Sequence, residues 1–124
     1  MRSFQKFAAQ GEIFIRRIGD VPSTKKAKEG YTKLPLENGK LVIGHSETGH
    51  HHVLAHNDGA DVTVLDRPPE GMRILHAILE SANSLEHKRD YDTHEAIELP
   101  PGEYEFRIAR EYDPYAELAR ISAD

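Results

Sequence analysis

Five of the chain's eight histidines fall within thirteen positions, in the stretch GHSETGHHHVLAH at residues 44–56. In an extended strand alternate side chains project from one face, so His50, His52 and His56 share a side and His51 takes the other. An HxH pair on one strand is a two-point grip for a divalent transition metal, because imidazole nitrogen suits Zn, Fe, Ni or Cu. Further ligands must come from elsewhere in the fold. His45 lies just before the SETG turn and can fold back, and His94 opens a later strand; either can close the shell. In the turn itself, Glu47 can fix the tautomer of a neighbouring imidazole, Ser46 and Thr48 can position a substrate, and Gly49 gives the backbone freedom to turn into the strand.

Composition limits the chemistry further. The chain has no cysteine, which excludes thiolate zinc sites, disulfide frameworks and cysteine nucleophiles and leaves nitrogen and oxygen as the only metal donors. A Ser-His-acid hydrolase lacks its G-x-S-x-G elbow. The formal charge is -5 with histidines neutral, and the basic residues are scattered apart from KKAK at 25–28. That pattern argues against a nucleic-acid stripe, which needs clustered Lys and Arg on one face. No run approaches the roughly 18 to 20 apolar residues of a membrane span, and MRSFQKFAAQ has no apolar signal core. The expectation is a cytoplasmic protein without membrane or nucleic-acid partners. Eight histidines would swing its charge strongly between about pH 7 and pH 5.

The elements that must position these residues are strands. The 124 residues fit one domain, 1–124, long enough to bury a core without disulfides. GEIFIRRI (11–18) has strand composition, and a polar excursion follows with its turn at Glu37-Asn38-Gly39. KLVIGHS (40–46) aims Leu41, Ile43 and His45 one way. HHVLAH (51–56) and ADVTVLD (60–66) flank Asn57-Asp58-Gly59, a hairpin signal. MRILHAIL (72–79) reads as a strand buried on both sides, with a helix as the competing reading. SLEHKRDYD reads as a polar connector to HEAIELP (94–100), a short strand. EYEFRIAREY (103–112) alternates cleanly, with Tyr104, Phe106 and Ile108 on one face. Residues 113–124 fit a short helix or a strand equally. The pattern predicts an all-β fold, a small antiparallel barrel or sandwich with at most one short helix.

The spacing from Gly44 to His50 and His52 resembles the first metal motif of the cupin superfamily, in which a glutamate follows the HxH pair. Here the glutamate position is His56, or Asn57 under the longer spacing. The Pro100-Pro101-Gly102 turn resembles the second motif, whose histidine position is Glu105 and whose leading glycine position is His94. The resemblance covers 44–56 and 94–105. It implies a small jelly-roll β-barrel holding a divalent transition metal such as Zn, Fe, Ni or Mn, with the two motif strands facing each other across the bowl. Glu105 opposes the Tyr104, Phe106, Ile108 stripe and should point outward, which leaves His94 as the ligand from the second motif. The metal set is then His50, His52 and His94, with His56 and His45 next in line and Glu47 behind them.

Other histidines have plainer readings. His51 is solvated or packed, His76 between Ile74 and Ile78 is a hydrogen-bonded core residue, and His87 is loop. Three functions follow: a cupin-like metal protein, enzymatic or not, whose metal would polarise a bound oxygen or activate water for a small-molecule ligand; a non-catalytic β-module whose histidine-lined mouth takes a small acidic ligand or a protein; and an assembly protein, of the kind encoded in mobile elements, whose histidines stabilise a homo-oligomer.

Overall fold

Alternation organises the molecule. In the strand Gly102–Ile108, residues Gly102, Tyr104, Phe106 and Ile108 are buried while Glu103 and Glu105 are half-buried and Arg107 is exposed. The strand Ile13–Gly19 repeats the pattern, with Ile13 and Ile15 buried against exposed Phe14 and Arg16. Each such side chain removed from water contributes about 1.5–3 kcal/mol. One apolar face per strand calls for a second apolar face to cover it, and the solution is two stacked sheets.

The computed structural model describes residues 2–3, 7–10, 13–24, 28–45, 51–88 and 93–108, with the backbone alone described for 2–3, 7–10, 88 and 93–95. The strands are β1 (Arg2–Ser3), β2 (Phe7–Gln10), β3 (Ile13–Gly19), β4 (Tyr31–Lys33), β5 (Val42–Gly44), β6 (His52–Leu54), β7 (Ala60–Leu65), β8 (Arg73–Leu79), β9 (Asn83–Lys88), β10 (Thr93–Leu99) and β11 (Gly102–Ile108). One sheet runs β1-β10-β9-β6-β5 and the other β2-β3-β11-β8-β7-β4. All pairings are antiparallel except β1 with β10. Leu41, Ile43, Leu54, Leu85, Ile97 and Leu99 from the first sheet meet Ile13, Ile15, Val62, Leu75, Leu79, Tyr104 and Phe106 from the second in one core. The fold is thus an all-β sandwich. Among the described residues there is no helix, and the sheets do not close into a barrel.

Sequence reading and structure agree on β3, β8, β10 and β11; the reading names no strand at β1 or β2 and takes the segment holding β4 as a polar excursion, and two further differences bear on the site. The Asn57-Asp58-Gly59 turn forms, with Gly59 at φ 72°, but it does not close a hairpin. β6 pairs with β5 and β9 whereas β7 pairs with β8 and β4, so the turn carries the chain from one sheet to the other. A turn signal fixes a local reversal; the apolar faces decide which strands then pair. Asn83 holds this crossing: its buried side chain donates to the His56 carbonyl at 2.8 Å and accepts from the His56 amide at 3.0 Å. The second difference is SLEHKRDYD, whose first half belongs to β9 rather than to a connector. Its polar residues hide the inward Leu85, which is fully buried. The Glu37-Asn38-Gly39 turn forms as read, with Asn38 and Gly39 at positive φ and reciprocal backbone bonds between Glu37 and Lys40 at 2.8 and 3.0 Å.

Candidate functional site

The H-x-L order of HVL in β6 is mirrored by the L-x-H order of LEH in β9, and the two strands run antiparallel. Pairing therefore sets Leu54 against Leu85 and His52 against His87. Both leucines face the core, so the histidines two positions along lie on the same inner face, one step nearer the sandwich end. On the far side of β9 the register sets His94 of β10 against His87. On the near side it sets Gly44 of β5 against His52. Gly44, His52, His87 and His94 consequently occupy one cross-strand row over four neighbouring strands. Gly44 packs closely against the other sheet: a Cβ there would lie 3.0 Å from Ile13 Cδ1 and 3.2 Å from Ile108 Cδ1.

His52 is 6% exposed, and its ring stacks on that of His87 with centroids 4.2 Å apart and planes 12° from parallel. Burial, then the neighbouring His87 and His51, push the His52 pKa down to about 4. An imidazolium would lose hydration there and face like charges, so His52 is neutral at pH 7, the form that ligates metals.

The other histidines divide by what they touch. His45 Nε2 lies 2.8 Å from both oxygens of Glu37, a bond in which the ring N–H donates to the carboxylate. His51 meets His45 edge to face, with centroids 5.0 Å apart. His56 is exposed at the sheet crossing. His76 is buried on the outer side of β8, its Nε2 2.5 Å from Glu103 Oε2 and its ring edge-on to Tyr31, a hydrogen-bonded histidine as its sequence context indicates. Glu105 points away from the core and binds Arg107 Nε at 2.7 Å, also as expected. His50 and Glu47, with the rest of 46–50, lie outside the described residues, as does 113–124; His94 is placed by its backbone alone.

The structure therefore brings His52 together with His87 and places His94 two strands away in the same sheet, beside His52 rather than across a bowl from it. It sets His45 with Glu37 and His56 at the turn. His87 is the residue that reading the sequence missed. Its signal was the L-x-H order in β9, the mirror of H-x-L in β6.

A metal's fit to this row rests on its donors. Neutral imidazoles on adjacent strands start from Cβ atoms about 5 Å apart, within reach of one ion. Two nearly parallel rings hold their nitrogen lone pairs in parallel planes, so sharing an ion requires one ring to turn about Cβ–Cγ, a soft torsion. Among the described residues no group of three His, Cys, Asp or Glu is arranged to hold a metal ion; His52 and His87 supply two donors, and His94 follows them in the row.

A family model described as "Domain of unknown function (DUF8820)" matches residues 9–109. The chain belongs to that family. Nothing among curated proteins or solved structures matches it. The part shared with other DUF8820 members runs from β2 through β11 and contains the whole histidine row. No helix among its described residues is long and apolar enough to cross a membrane.

Proposed function

We propose that this domain binds a divalent transition metal through His52, His87 and His94, on the inner face at one end of the sandwich, and presents it to a small-molecule ligand. The observation that carries this reading is the register: three histidines, each from a different strand, in one row. The neutral state of His52 supports it, since a protonated ring offers no lone pair. The Gly44, His50, His52 spacing that resembles the cupin first motif supports it independently and keeps His50 as a candidate further donor. A metal held by three side chains would supply Lewis acidity to a bound oxygen or activate water.

Elemental analysis tests the reading. Protein expressed in metal-supplemented medium and purified without chelators should carry close to one transition metal per chain, and the His52→Ala, His87→Ala double variant should carry almost none while keeping the far-ultraviolet spectrum of a β protein. Metal-free wild type, or undiminished metal in the folded double variant, contradicts it.

A further inference from the structure

The chain's three asparagines, Asn38, Asn57 and Asn83, stand in different surroundings. Asn83 is buried, and its carboxamide oxygen accepts from the His56 amide at 3.0 Å and from the Ser84 amide at 2.9 Å. The backbone nitrogen that follows it is thus held as a donor to its own side chain. Asn57 is exposed, but its Nδ2 donates to the Gly39 carbonyl at 2.7 Å, and Asp58 follows it with a side chain of its own. Asn38 is exposed and followed by exposed Gly39. These two residues turn the chain at φ 51° and 76°, the mirror-image hairpin turn that favours Asn-Gly.

The residue pair that suits this turn is also chemically labile. An asparagine carboxamide carbon is within five-membered-ring reach of the next amide nitrogen, and a glycine there leaves that nitrogen unshielded and the chain free to close the ring. We propose that Asn38 is a site of spontaneous modification by water, through a succinimide, and that the hydrogen bond from Asn57 to Gly39 sets its rate. The Gly39 nitrogen attacks Asn38 Cγ; as that C–N bond forms, the Cγ–Nδ2 bond breaks and the carboxamide nitrogen leaves as ammonia with the Gly39 amide proton. Water then opens the ring at either carbonyl, giving aspartate or isoaspartate. Isoaspartate routes the main chain through Cγ and lengthens it between residues 38 and 39, so the reciprocal Glu37–Lys40 bonds lose their register. The altered turn carries Glu37, whose carboxylate binds the His45 ring. Ring closure requires the turn to open, because the Gly39 carbonyl and the Lys40 amide are fixed while it is closed, and the rate follows the open population.

Ageing the full chain in warm, mildly alkaline buffer tests the proposal, with peptide mapping by mass spectrometry for the amide-to-acid change and isoaspartyl methyltransferase labelling for the rearranged product. Conversion should begin at Asn38, with isoaspartate among its products, while Asn57 and Asn83 remain amides. Asn57→Ala removes one hydrogen bond from the closed turn and should speed conversion at Asn38 roughly fivefold. Gly39→Ala, which shields the attacking nitrogen, should slow it. Asn38 that stays an amide in folded protein over the time in which the urea-unfolded chain converts it overturns the proposal. So does conversion at an unchanged rate in folded Asn57→Ala protein.

Discussion

Two histidines are buried in this sandwich to nearly the same depth, His52 at 6% and His76 at 8% exposure, and they are kept there by opposite means. His76 sits on the outer side of β8 with its Nε2–H directed at the Glu103 carboxylate. His52 sits on the inner side of β6 with its ring against another imidazole, and the groups that shift its pKa most all push it down. A histidine bonded to a carboxylate at one nitrogen is a structural link between strands, here β8 and β11. One buried against another imidazole is held neutral. Depth of burial alone does not separate the two histidines; the partner does.

The contrast can be broken from the structural side first. His76→Ala deletes a buried bond and leaves Glu103 without that donor, so it should cost about 2–3 kcal/mol in urea unfolding while bound metal stays near one per chain. Loss of metal with little loss of stability would reverse the roles assigned to the two histidines.

A smaller effect comes from pH. The His52 pKa falls from 6.5 to about 4 on folding, so the folded state binds fewer protons than the unfolded chain. The stability this contributes is complete above about pH 6.5 and is lost as pH falls from there through 4, on the order of 2 kcal/mol in metal-free protein. Denaturant midpoints at pH 7 and pH 4.5 should therefore lie closer together in His52→Gln than in wild type. An equal separation in both proteins would mean that burial does not hold His52 neutral.

How much of this was readable in the sequence differs between fold and site. Strands whose alternation is strong, such as Tyr104, Phe106 and Ile108 in β11, declared both their conformation and their buried face. The sandwich followed from them and from the near-absence of helical periodicity. The sheet crossing at Asn57-Asp58-Gly59 was hidden because the same residues serve a hairpin or a crossing, and only the pairing of Leu54 with Leu85 and of Ala60 with Leu79 distinguishes the two. Parity within one strand grouped His52 with His50 and His56 on one face. It could not reveal His87, because register between strands distant in the chain is a tertiary property, set here by two leucines seeking the core. His94 was chosen for its place near a turn motif, and the same register is what sets it beside His87.

The most direct measurement is a crystal structure of the Zn(II)-soaked full chain with anomalous data at the zinc edge. The account predicts one strong peak at the end of the β6, β9, β10 row, about 2.0–2.1 Å from a ring nitrogen of each of His52, His87 and His94. A peak on His45 and Glu37, or no peak within reach of His52 while its ring remains stacked on His87, would contradict it.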